Sequence, residues 1–444
     1  MYAAWRPLFV RVVSGASSLT TAPVEQQPES CMSFPVFPAA ASARGSMAVI
    51  LLSVLLNFAG FTIIIPVLPF SVARHAAPGD VAFWVALILS LYALCSFLAA
   101  PVLGAISDRH GRRPVLLLSL CGSAVGFAVF GVSGSLWVLL LGRMIEGLSA
   151  GSISTLYACI ADTHAPHERG PAFGLLGVAG GLGFMLGPVL GGLLGSWSLA
   201  APLYGAAGLA LLNALLVWRW LPESLAPARR STAPQKARLN AFSQLRAALR
   251  VPVLRLLFGV VFCFALASVL LQSNLALLMK DLLALTPAAI GLVLAGIGVI
   301  DIVSQGLVAR RLLPRVGEQR LAGAGLLINA AGLLVLAWLA RFPFVPLLLC
   351  GVALFTFGDG LFQPSVNALI ADAAPEGRQG EVQGANQAQQ SIARMFGPPA
   401  GAWLYALHPG APYAVAALVG VVAAMVLASK NIFQPPASKP ARPV

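Results

Sequence analysis

The sequence predicts an all-α membrane protein with twelve transmembrane helices in two six-helix halves. Three observations carry that prediction. Of 444 residues, 58% are hydrophobic and only 10% are charged, against about 25% charged residues in a soluble domain. Twelve apolar runs approach the roughly 20 residues that cross a bilayer as a helix. One long basic linker divides them six and six.

The runs follow in order. The first, 48–70, opens directly after Met47. The second and third, 81–103 and 114–133, flank a short charged knot. Runs 136–161, 172–195 and 201–221 complete the first half. The second half comprises 253–279, 288–309, 321–340, 344–371, 381–406 and 412–429. Residues 1–46 are polar, rich in Pro, Ser and Ala, and lack a helix period, so they read as a disordered tail without a signal-peptide core. The halves are then 47–222 and 253–430, joined by a cytoplasmic linker 223–252 that contains Pro227 and Pro234, and followed by a tail 431–444. Two equal halves match the parallel repeat found in many secondary transporters.

The net charge of +13 is a topology signal rather than a nucleic-acid footprint. Lys and Arg collect in cytoplasmic loops. With both termini cytoplasmic, 23 of the 28 basic residues fall on that side, and only Arg74, Lys280 and Arg341 fall outside. Arg143 and Arg394 remain within the membrane. Five of the six cysteines lie in apolar helices and no C-x-x-C occurs, so neither a disulfide framework nor a metal site is expected. No phosphate loop, H-E-x-x-H or G-x-S-x-G is present, which disfavours an ATP-driven pump and an enzyme, and no cofactor is expected.

The charged knot reads Gly104-Ala105-Ile106-Ser107-Asp108-Arg109-His110-Gly111-Arg112-Arg113. Topology alone would need only the arginines. It would not need Gly104 and Gly111 at this spacing, or an Asp among the basic residues. Glycine permits a left-handed turn or close approach, and an Asp near a helix N-terminus gains from the dipole. The pattern G-x-x-x-D-R-x-G-R-R resembles the loop signature of the major facilitator superfamily. The resemblance implies that Asp108 latches onto the second half when the cytoplasmic side closes, with Arg109, Arg112 and Arg113 as partners or lipid contacts. Loop 310–318 is a degenerate echo in which Pro314 stands where Asp108 does.

The fifth run holds Gly174, Gly183, Gly187-Pro188 and Gly191-Gly192. Gly183, Gly187 and Gly191 form a small-residue stripe that lets helices approach closely, and Pro188 removes a backbone hydrogen bond. The spacing G-x8-G-x3-G-P-x2-G-G resembles the antiporter motif of the family's drug/proton branch, which implies export. In the fourth run, Arg143-Met144-Ile145-Glu146-Gly147 is similar to the family's R-x-x-Q-G element with Glu146 in place of Gln. Arg143 and Glu146 lie one turn apart and can pair, either as a structural ion pair or as a proton-responsive one.

Asp301 and Asp359 lie well inside apolar runs with no charged neighbour in their own helices, and Arg394 is a candidate counter-charge for Asp359. Intramembrane ionisable groups are costly and usually functional. Asp301, Asp359 and Glu146 are therefore the candidates for proton coupling. The first run is similar to that of tetracycline/proton antiporters, but Asn57 stands where those carry Asp, and Asn57 cannot titrate. Candidate walls of a central substrate cavity are Asn57, Phe61, Gln272, Asn274, Gln305, Phe357, Phe362 and Gln363; each polar one can equally join neighbouring helices.

These readings imply a monomeric, proton-coupled exporter of small hydrophobic drugs in the inner membrane, working by alternating access. Uptake of a sugar or organic anion on the same fold stays open, as does a transporter-like receptor without flux.

Overall fold

A computed structural model describes residues 43–164, 169–226, 249–373 and 379–429. The expected tails and linker lie outside these residues, apart from 43–46, 223–226 and 249–252. The first helix already begins at Ala43, inside the expected tail.

Every predicted run is helical, and no strand occurs among the described residues. The first half contains α1 (Ala43–Thr62), α2 (Leu68–Ala73), α3 (Val81–His110), α4 (Arg112–Val132), α5 (Leu136–Leu148), α6 (Ser152–Thr163), α7 (Arg169–Trp197) and α8 (Ala201–Trp220). The second contains α9 (Pro252–Leu283), α10 (Pro287–Val303), α11 (Arg310–Val316), α12 (Glu318–Leu339), α13 (Val345–Ala373), α14 (Gln379–Leu407) and α15 (Ala411–Ser429).

Among the described residues, ten helical segments are long and apolar enough to cross a membrane. The first and eleventh predicted spans are helical but fall short of that measure. The apolar part of α1 runs only from Ser46 to Thr62, because the chain turns at residues 63–67 around Pro66. Helix α14 carries a run of Gln and Asn, and Arg394. Side chains such as Leu118, Val178, Leu292 and Leu418 are exposed on helix faces, a liability in water but the expected lining against lipid tails. Exposed Trp137, Trp197 and Trp338 gather near one end, and Trp218 and Trp220 near the other, like the aromatic belts of membrane interfaces.

Two predicted spans are broken. The fourth unwinds at Ser149-Ala150-Gly151 between α5 and α6. Irregular backbone at such depth is tolerated where it lines a cavity. The eighth passes through a π-helical turn, Ser304–Ala309, just after Asp301; π turns inside helices are frequent at functional sites.

Packing differs at the two ends. Away from the charged loop 104–113, one apolar core joins both halves. Ile64, Val67, Val72 and Ile88 share it with Leu271, Leu278, Met279 and Leu336. At the loop end each half has its own core: Ile50, Leu116, Leu156 and Val217 in the first, and Leu257, Phe258, Phe362 and Ile370 in the second. The halves also meet along two helix pairs, α7 with α10 and α3 with α14.

Candidate functional site

The glycines of α7 explain the first of these seams. A methyl group at Gly183 would lie 2.9 Å from Phe58 Cβ, and one at Gly187 would lie 2.6 Å from the Ala59 carbonyl oxygen. At Gly191 it would lie 2.8 Å from the Ile63 carbonyl carbon. These three positions press α7 against α1. Gly192 faces the other way, where a methyl would meet the Pro287 carbonyl oxygen at 2.6 Å and Gly291 Cα at 3.2 Å. One helix thus packs against α1 of its own half and α10 of the other, backbone against backbone. Pro188 sits at the α10 contact. Gly174 has open space around it and takes no part in this packing.

Between the halves lies a cavity of about 860 Å³. Its first-half wall carries Phe58, Phe61, Tyr92, Phe97, Phe127 and Phe184, with Asn57 and Ser152 among them. The second half contributes Val269, Gln272, Ser273, Ala276, Ser391, Arg394 and Pro398. Of the eight expected wall residues, the lining includes Asn57, Phe61 and Gln272. Asn57 donates to Ser152 Oγ at 2.6 Å, tying α1 to the break after α5. Phe61 stacks at a tilt on Tyr92, 5.2 Å between centroids.

The other five lie elsewhere, for reasons of local packing. Asn274 is buried and donates to the Leu270 carbonyl and to Ser273 Oγ. Phe362 is fully buried against Phe264 at 4.4 Å. Phe357 packs on the small core around Ala309, Leu321 and Leu361. Gln305 donates to Asp301, and Gln363 accompanies Asp359.

Arg143 and Glu146 form a buried ion pair at 2.5 Å, with the two residues 1% and 4% exposed. The rings of Tyr92, Phe130 and Phe61 surround the guanidinium at 5.3, 5.6 and 6.0 Å. Glycines make room for this arrangement. A methyl at Gly126 would lie 2.8 Å from the Glu146 nitrogen, and one at Gly147 2.8 Å from the Tyr92 carbonyl oxygen. Helix α5 is therefore drawn in between α4 and α3, and both charged residues reach the cavity wall.

Asp301 does have a local partner: its Oδ1 accepts from Gln305 Nε2, one turn on, at 2.6 Å. Asp359 lies within the field of Asp301 and beside Gln363, and its Oδ1 is buried without a hydrogen bond. A methyl at Gly360 would lie 3.2 Å from the Gln305 nitrogen, so α13 approaches the π turn closely. The expected pairing of Asp359 with Arg394 is not formed. Arg394 instead faces the cavity and the electrostatic neighbourhood of Tyr92.

At the charged loop, Arg112 bridges Asp108 at 2.6 Å and Asp162, at the end of α6, at 2.8 Å. Arg113 donates to the Trp218 carbonyl. The Glu223 carboxylate accepts from the backbone N–H groups of Arg112 (2.8 Å), Arg113 (3.1 Å) and Leu225 (3.0 Å), capping α4. Sequence reasoning misses Asp162 and Glu223, although each is an acid just past the end of an apolar run. In the second half, Glu318 occupies the place of Arg112 and faces Asp372 at the end of α13. The echo loop thus regains an acid one residue past its glycine.

Gly111 has φ +104°, and a methyl there would lie 2.8 Å from the Glu223 carboxyl carbon. Gly111→Ala should therefore cost about 1–3 kcal/mol, the usual scale for strained backbone, and displace the cap. Thermal unfolding of the purified variant checks this, and an unchanged midpoint would refute it.

The Major Facilitator Superfamily profile matches residues 50–386 and 257–443, two overlapping stretches. Tetracycline resistance protein, class C, of Escherichia coli is 33% identical over 388 residues, covering 86% of this chain and 96% of that protein. The crystal structure of the human organic anion transporter MFSD10 (TETRAN) is similar with a TM-score of 0.66 at 27% identity, covering 87% of this chain and all of that one. A D-xylose-proton symporter shares the fold with a TM-score of 0.68 at 19% identity, covering 86% of this chain and 97% of its own.

Proposed function

The chain belongs to the Major Facilitator Superfamily of membrane transporters, and from that premise we propose that it is a proton-coupled exporter of small hydrophobic molecules. The observation that carries the reading is the cavity between the halves, sealed by a shared core at one end and flanked by separate cores at the other. Alternating access needs two bodies that can part at either end about a central site. The excess of basic residues assigns the charged-loop end to the cytoplasm, so this is the inward-facing arrangement and all twelve helical spans cross the inner membrane. A single chain supplies the whole cavity, in keeping with a monomer.

Asp108 is then the cytoplasmic latch. In the inward-facing state it pairs with Arg112 within its own half, which holds the loop in shape while the second half is away. Asp359 and Asp301 carry the coupling proton, and Glu146 is held by Arg143. The relatives' names include both a tetracycline resistance protein and an organic anion transporter, so kinship alone leaves the cargo open.

The test uses the full chain in proteoliposomes with an imposed pH gradient. Lipophilic drugs and dyes should move against their own gradient, opposite in direction to proton flow, and collapse of the gradient should stop them. Cargo and protons moving in the same direction would make the protein an uptake symporter. Binding without flux would make it a receptor.

A further inference from the structure

The two walls of the cavity are chemically unlike. Among the described residues, all six aromatic rings in its lining come from the first half, and none from the second. The second half supplies Gln272, Ser273, Ser391 and one cation, Arg394.

Arg394 lies in a membrane span, is exposed, and has no carboxylate partner among the described residues. A cation at such depth is costly unless it meets a partner or water. Glu146 is the one carboxylate in the cavity lining among the described residues, but it is 4% exposed and already committed to Arg143. Among the described residues, these three charges leave the wall with one uncompensated positive charge, and that charge sits opposite the rings.

We propose that the cavity takes an amphiphilic organic anion that bridges the two halves, its aromatic or apolar body against the first-half rings and its acid group on Arg394. This assignment rests on the transporter reading for its consequence but not for its geometry. The volume suits a small organic molecule, since such sites span about 300–1,000 Å³. A planar guanidinium presents paired donors to a carboxylate or sulfonate. A cationic cargo would meet Arg394 unshielded. Because the acid anchor and the ring wall belong to different halves, the ligand ties the halves together when bound, and its release is coupled to their parting.

The probes are three molecules with one naphthalene body: the carboxylate, its neutral primary amide and the corresponding methylammonium. Binding to the purified full chain in lipid nanodiscs is measured at equilibrium. The carboxylate should bind tightest and the ammonium weakest. Arg394→Gln should weaken the carboxylate by about 10–100-fold, the range for losing a hydrogen bond to a charged group, and leave the amide unchanged. Arg394→Lys should recover part of the loss. Phe184→Ala should weaken carboxylate and amide alike, which a merely destabilised Arg394 variant would not separate. Equal or tighter binding of the ammonium, or carboxylate affinity unmoved by Arg394→Gln, overturns the proposal, as does failure of all three probes to bind. Carboxylate binding without flux in proteoliposomes upholds the anion site and overturns the transport reading. Proton-driven flux of the ammonium alone does the reverse.

Discussion

Asp359→Asn is expected to cut uphill transport by about 5–150-fold while sparing downhill equilibration. Asp359 stands 14 residues into α13, roughly 20 Å along the helix at 1.5 Å per residue, so it lies far from either surface. Of the three intramembrane acids it is the least completely paired, with Gln363 beside it. Glu146 has a guanidinium at 2.5 Å, and Asp301 has the Gln305 amide at 2.6 Å. One oxygen of Asp359 has no hydrogen bond at all. The charge that acts on it is Asp301, of the same sign. Two negative carboxylates there would repel, and one proton removes the repulsion.

That proton is the natural coupling particle for the cycle. Coupling free energies of about 1–3 kcal/mol correspond to about 5–150-fold, so Asp359→Asn should lose gradient-driven accumulation by a factor in that range. Asp301→Asn should lose less, because Gln305 already supports it. The measurement is accumulation against a gradient in proteoliposomes, beside exchange at equal concentrations. Undiminished uphill transport by the Asp301→Asn, Asp359→Asn double variant, at normal expression, would remove both acids from the coupling scheme.

The sequence carried the helices and the halves plainly, because bilayer crossing imposes length and apolarity on most spans, the first and eleventh excepted. It also carried contacts that depend on one helix alone. Arg143 and Glu146 sit one turn apart and pair as spacing requires. The glycine stripe at 183, 187 and 191 meets a neighbouring helix as small residues do. Contacts between helices were much less legible. Nothing in the run 381–406 says whether Arg394 turns towards Asp359 or into the cavity; that depends on how α14 rotates against α3. Phe357 and Phe362 look like wall residues in sequence, but α13 presents them to its own half's core. Tyr92 and Phe184 share their runs with Phe83, Trp84, Phe97 and Phe173, and periodicity does not tell a cavity face from a lipid face. Glu223 caps α4 across 111 positions of sequence, and only the fold brings it there.

The Arg143–Glu146 pair offers a second large effect, and one that separates stability from function. Glu146→Gln would leave a guanidinium buried among three rings with no counter-ion, and Arg143→Gln would strand a carboxylate. Breaking one side of a buried pair typically costs about 3–5 kcal/mol. Each single variant should therefore unfold at markedly lower temperature or fail to accumulate in the membrane. Replacing both at once, as Arg143→Met with Glu146→Leu, removes the two desolvation penalties together and keeps most of the volume. Such exchanges are often neutral or stabilising, so the double variant should be more stable than either single one. Its transport then decides the pair's role. A stable, active double variant makes Arg143 and Glu146 a structural pair that orients α5 between α3 and α4. A stable but inactive one assigns the pair to the transport cycle. A double variant as unstable as the singles would show that the surrounding rings need the guanidinium itself, and that the ion pair is secondary to its contacts with Phe61, Tyr92 and Phe130.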